Sequence, residues 1–116
     1  MKTVLLVDDS VDIRMAIKLA LELEGYQVVE AENGSIAQEK LISDLKPCVI
    51  LLDLMMPVMN GQEFLEWKNN DSVNSLIPVV VISALAQHIE LPGTVKFLLK
   101  PIDLTTIIAT VAEVCL

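Results

Sequence analysis

The chain has 116 residues, one domain's worth, and a formal charge of −8 from sixteen acids against eight bases. So acidic a chain lacks the basic patch of a free-standing nucleic-acid binder and should repel anionic membrane. Hydrophobic residues make up 53% but aromatics only 3%, so the core must come from Val, Ile, Leu, Ala and Met, a composition suited to strands covered on both faces by helices.

The first apolar run, Val4 to Val7, is stopped by Asp8 and Asp9. It falls short of the roughly 7–15 apolar residues of a signal peptide. No run approaches the ~20 residues that span a bilayer, so a cytoplasmic protein with no membrane partner is expected. The two cysteines, Cys48 and Cys115, lie in no metal-type spacing. Cys48 reads as a small buried hydrophobe, and neither a disulfide nor a metal role is expected of either.

Val4 to Val7 is followed by Ile13, Ala16, Ile17, Ala20 and Leu21, which line one helical face, and Gly25 stops that helix. Tyr26 to Val29 reads as a strand. Asn33-Gly34 opens a second helix carrying Ala37 and Leu41, and Pro47 ends the connection that follows it. Cys48 to Leu52 is the strongest strand signal. Asn60-Gly61 opens a third helix with Phe64 and Leu65 inward; Trp67 falls beside that stripe and is expected to be partly exposed. Strands follow at Pro78 to Ile82 and Val95 to Leu99. Asp103 caps a last helix with Leu104, Ile107, Ile108 and Val111 on one stripe.

Strand and helix alternate about five times. That pattern predicts an α/β fold with a parallel sheet covered on both faces. The flavodoxin-like doubly wound arrangement, a five-stranded sheet in the order 2-1-3-4-5, binds ligands outside the carboxyl ends of its strands.

The polar residues at those ends are the informative ones. The first strand ends in Asp8-Asp9, the third in Asp53, the fourth in Ser83 and the fifth in Lys100-Pro101. Each alone reads as a cap or a loop residue. On one rim, three carboxylates repel one another, and they call for Lys100 and a hard divalent cation. Magnesium favours one or two carboxylates with phosphate oxygens. A carboxylate can serve as nucleophile and form an aspartyl phosphate, and phosphoryl transfer needs positioning and charge neutralisation above all. Asp53 as nucleophile, Mg2+ on Asp9 and Asp53, the Ser83 hydroxyl and the Lys100 ammonium make a complete set.

Val7-Asp8-Asp9-Ser10, Leu51-Leu52-Asp53-Leu54-Met55-Met56-Pro57, Asn60-Gly61, Ser83-Ala84 and Lys100-Pro101, in that order, resemble the receiver domains of two-component response regulators. The resemblance covers Lys2 to about Cys115. It implies that Asp53 is the phosphoacceptor, that Asp9 ligates Mg2+ directly and Asp8 largely through water, and that the Met55 backbone carbonyl is a third ligand. It implies that Ser83 and Lys100 contact the phosphoryl group, that Ser83 and Phe97 switch on activation, and that the bond before Pro101 is cis. It also implies a phosphoryl donor, either a histidine kinase or a histidine phosphotransfer protein, docking near Met15 and Ile102, and an output partner that the sequence does not name. Residues 1–116 are expected to form a single receiver domain with no output domain, acting as a phosphoacceptor switch rather than an enzyme.

Only eleven residues separate Ser83 from Val95, and Pro92-Gly93 breaks them. A full helix of ~11–12 residues with two connections does not fit, so a short, irregular fourth helix within Leu85 to Glu90 is expected. Met55 and Leu85, two positions beyond Asp53 and Ser83, are apolar and orient no attacking water, which predicts a long-lived phosphoryl group. His88, the lone histidine, reads as a surface residue. The competing readings are a phosphatase with an aspartyl intermediate and a degenerate receiver that binds partners without phosphorylation. The first is disfavoured because Met55 stands where such enzymes usually carry a second acid, the second because the acid cluster is intact.

Overall fold

The computed structural model describes residues 1–84 and 91–116. The expected short helix and His88 lie outside the described residues. Along the chain run β1 (Thr3–Val7), α1 (Val11–Leu23), β2 (Gln27–Ala31), α2 (Gly34–Ile42), β3 (Val49–Asp53), α3 (Gly61–Asn70), β4 (Val79–Ser83), β5 (Thr94–Leu99) and α4 (Leu104–Val114). The five strands form one parallel sheet in the order β2-β1-β3-β4-β5.

Side-chain alternation along the strands builds two apolar layers. On one face Leu5, Val7, Ile50, Leu52, Val79 and Val81 meet Ala37, Leu41, Phe64 and Leu65 of α2 and α3. On the other, Val4, Leu6, Val49, Leu51, Val80 and Ile82 meet Ile17, Leu21, Ile107 and Val111 of α1 and α4. Trp67 is half-buried against the first layer, its ring centroid 6.1 Å from that of Phe64. β3 and β4 are buried along their whole length, which explains why their sequences are continuous apolar runs.

The helices start where short polar residues accept backbone N–H bonds. Ser10, Asn33, Asn60 and Asp103 cap α1, α2, α3 and α4, and Asn60 and Glu63 form a reciprocal capping box. Gly25, at φ +93°, takes the left-handed turn after α1. Gly61 answers a different need. A Cβ there would lie 2.6 Å from Leu54 Cα and 2.7 Å from the Asp53 carbonyl oxygen. Its own N–H donates to the Leu54 carbonyl at 3.0 Å, so α3 can start hard against the end of β3.

One expectation is overturned: Cys48 and Cys115 are joined in a disulfide, with Cα atoms 5.3 Å apart. Cysteine spacing cannot reveal this pair, because 67 positions separate its members. The fold brings the entry of β3 beside the C-terminal cap of α4. Among the described residues, no helix is long and apolar enough to cross a membrane.

Candidate functional site

β1 and β3 are neighbours, and both end at the same rim. There Asp8, Asp9 and Asp53 each offer a carboxylate oxygen within 4.8 Å of one another. Asp8 and Asp53 are buried, whereas Asp9 is exposed. Lys100, at the end of β5, places its Nζ 3.2 Å from Asp8 Oδ2 and 3.5 Å from Asp53 Oδ2. Its backbone N–H donates to the Ser83 carbonyl at 2.8 Å, tying the ends of β4 and β5 together. The Lys100–Pro101 bond that follows is cis. Asp8, Asp9, Asp53 and Lys100 therefore converge, and Ser83 lies fully buried at the carboxyl end of the neighbouring strand.

The electrostatics are unbalanced. Three carboxylates face one ammonium, leaving a formal charge of −2 when all are ionised. Burial, then the charge of Asp8, pushes the Asp53 carboxyl up to about 6 from the usual 3.8. Asp9 adds a smaller push. Lys100 and the Met55 N–H, which donates to Asp53 Oδ1 at 3.3 Å, hold it from rising further. Such a group of hard oxygen donors around excess negative charge suits a divalent cation. Beside it Asp9, Met55, Pro57 and Asn60 line an open cleft of about 560 Å³.

Arg14 was not singled out from the sequence, yet it braces the site. Its Nη1 donates to the Asp8 carbonyl at 2.6 Å and its Nε to Glu30 Oε1 at 3.2 Å. The guanidinium thus fastens the β1–α1 turn to β2, while the Ser10 N–H donates to Asp8 Oδ1 at 2.9 Å. The available signal was a basic residue directly after the inward-facing Ile13. Val58, also unmarked, holds φ +69° in the loop after Asp53, a conformation rare for a β-branched residue.

Phe97 is half-buried against the layer under α2 and α3. Met15 is 62% exposed on α1, whereas Ile102 is partly buried against the layer under α1 and α4. Between α1 and the β5–α4 turn lies a mostly apolar groove of about 380 Å³ lined by residues that include Ile13, Ala16, Pro101, Ile102 and Leu104. Leu85 lies outside the described residues.

A family model for the response regulator receiver domain matches residues 4–112. The chain belongs to this family. It is 33% identical to the protein PilH of Pseudomonas aeruginosa over 119 residues, covering 98% of both chains. It is 32% identical to the chemotaxis protein CheY of Thermotoga maritima, covering 97% of both. The phosphate regulon regulator PhoB of Pseudomonas aeruginosa is 39% identical over 75% of this receiver domain, which spans only 38% of that longer protein. Among solved structures, the chemotaxis response regulator CheY4 of Vibrio cholerae superposes with a TM-score of 0.89 at 30% identity over 98% of both chains. The receiver is thus a phosphoacceptor switch module of two-component signalling.

Proposed function

We propose that Asp53 is the residue that accepts the phosphoryl group, with Asp8, Asp9, Asp53 and the Met55 carbonyl holding Mg2+, and Ser83 and Lys100 receiving the phosphoryl oxygens. The observation that carries this reading is the buried Asp53 carboxylate, flanked by two further acids and faced by the Lys100 ammonium. A bound divalent cation would supply charge neutralisation to both carboxylates and phosphoryl oxygens. An Asp53 oxygen attacks the phosphorus of a phosphohistidine or small acyl phosphate in line, and the bond to the donor breaks as the new P–O bond forms. Lys100 then exchanges its contact with Asp53 for one with the added charge of roughly −1.5 to −2. Ser83 and Phe97 carry the change to the surface along β4 and β5.

The donor is a histidine kinase or histidine phosphotransfer protein. Its helical surface docks over the groove lined by Ile13, Ala16 and Ile102, which Lys100 also lines, with Met15 exposed on the same helix α1. The output partner reads the surface near Phe97. The cytoplasm, where such donors present phosphohistidine, is the expected compartment. Phosphoryl loss is slow because Met55 and Leu85 orient no water, so the domain acts as a switch and not as a turnover enzyme.

Beryllofluoride with Mg2+ mimics the phosphoryl group without transfer, and amide NMR reads its binding residue by residue. Shifts concentrated at Asp9, Asp53, Ser83, Phe97 and Lys100, and lost in Asp53→Asn, are expected. Unchanged spectra from the folded wild type would refute the assignment and favour a receiver that acts without phosphorylation.

A further inference from the structure

We infer that Cys48 and Cys115 form a reversible thiol–disulfide site, oxidised by small-molecule disulfides, that clamps the end of α4 to the entry of β3. These are the two cysteines of residues 1–116, so within this domain each has only the other to pair with. The fold holds their Cα atoms 5.3 Å apart, within the span that a disulfide requires. Each is fixed by its own backbone. The Cys48 N–H donates to the Thr3 carbonyl at 2.9 Å, and the Cys115 N–H donates to the Val111 carbonyl at 2.8 Å. The pair is therefore set by the sheet and by α4 and does not need to search for its partner.

The two sulfurs are not equivalent. Cys115 is only 4% exposed at the C-terminal cap of α4, where the negative end of the helix disfavours a thiolate. The Lys2 ammonium, which donates to the Cys115 carbonyl, offsets part of that penalty. Cys48 is only half-buried and is the sulfur that reagents reach first. Oxidation starts when the Cys48 thiolate attacks a disulfide such as oxidised glutathione, forming a mixed disulfide and expelling one thiolate. Cys115 then attacks the Cys48 sulfur and expels the second. Two electrons pass to the oxidant, and the two protons leave with the two product thiols. An external dithiol reverses both steps.

The clamp acts at the end of the sheet opposite the aspartate rim. Cys48 stands five positions before Asp53, roughly 16 Å along an extended strand at ~3.3 Å per residue. Reduction is therefore expected to loosen the last turn of α4, around Val114 and Cys115, and to leave the acid cluster in place.

The test equilibrates the wild-type protein over a series of glutathione redox ratios, quenches it in acid, then unfolds, alkylates and weighs it. Two alkylated thiols under reducing conditions and none under oxidising conditions, with the oxidised protein two hydrogens lighter than the unalkylated dithiol, are expected. Two alkylatable thiols persisting in excess oxidised glutathione would overturn the proposal, as would a stable glutathione adduct on the wild type. Cys115→Ser should trap one glutathionyl group on Cys48, and Cys48→Ser should react about tenfold more slowly because its remaining thiol is buried. Equal rates would overturn the assignment of Cys48 as the attacking sulfur. Hydrogen exchange on the unsubstituted protein should be faster at Val114 and Cys115 after reduction and unchanged along β3. Identical exchange at α4 in both states would overturn the clamp.

Discussion

Asp53→Asn should stabilise the protein in the absence of divalent cations, and the gain should depend on pH. The Asp53 carboxyl is raised from 3.8 to about 6 in the fold. Well below the unfolded value of 3.8 both native and unfolded chains carry a protonated Asp53, so the substitution changes little. Between about pH 4 and pH 6 the unfolded chain releases its proton first, and the wild type loses stability as pH rises. Above about pH 6 the loss is complete. Two pKa units at 1.36 kcal/mol each set it at about 3 kcal/mol. The substituted asparagine cannot ionise, so the variant escapes this loss. Urea unfolding of both proteins in chelator, at about pH 4 and about pH 7.5, reads the difference directly. Excess Mg2+ should then narrow the gap at the higher pH by stabilising only the wild type. An Asp53→Asn protein that is less stable than wild type at about pH 7.5 would refute the reasoning, because burial and the neighbouring acids would then not be straining the site. A gap of equal size at both pH values would do the same.

Val58→Gly should raise stability by about 1 kcal/mol in urea unfolding. The left-handed backbone costs a residue with a Cβ roughly 1–2 kcal/mol, against a glycine entropy cost of about 0.5–1, and Val58 is 81% exposed, so little burial is lost. Gly61→Ala should cost about 2 kcal/mol and slow phosphoryl uptake, since the new methyl would press on the Asp53 carbonyl oxygen; unchanged stability and uptake would show that α3 shifts freely. Dephosphorylation should be slow in the wild type and faster in Met55→Asn or Leu85→Glu, followed by a time course of the phosphorylated species. Rapid loss from the wild type without a phosphatase would contradict the expectation of a long-lived state.

The sheet and its rim were legible because a parallel sheet imposes a simple code. β1, β3 and β4 are buried almost throughout and must be apolar, so Asp8, Asp53 and Ser83 stand out at their ends, whereas Lys100 follows the more exposed edge strand β5 and is marked by the Pro101 after it. The caps at Asn33, Asn60 and Asp103 were legible for a similar reason, since a helix start leaves N–H groups that short polar side chains satisfy. Three features were not legible, because each depends on how the folded chain brings particular groups together and not on a periodic pattern. The Cys48–Cys115 pair needs the return of α4 to the entry of β3. Arg14 gains its role only when Glu30 and the Asp8 carbonyl lie on either side of it. Lys68 sits fully buried at the end of α3 with its ammonium donating to the Ser75 carbonyl at 3.0 Å, and burial pulls its pKa down. A sequence pattern marks Lys68 only as a charge in a last helical turn.

On this assignment Asp53 takes the phosphoryl group with a divalent cation beside it. The most direct measurement is the intact mass after incubation with Mg2+ and a small acyl phosphate, for wild type and Asp53→Asn. One added phosphoryl group is expected on the wild type, none on the variant, and none on either in the presence of chelator. A folded wild type that gains no mass, or a variant that gains as much as the wild type, would contradict it.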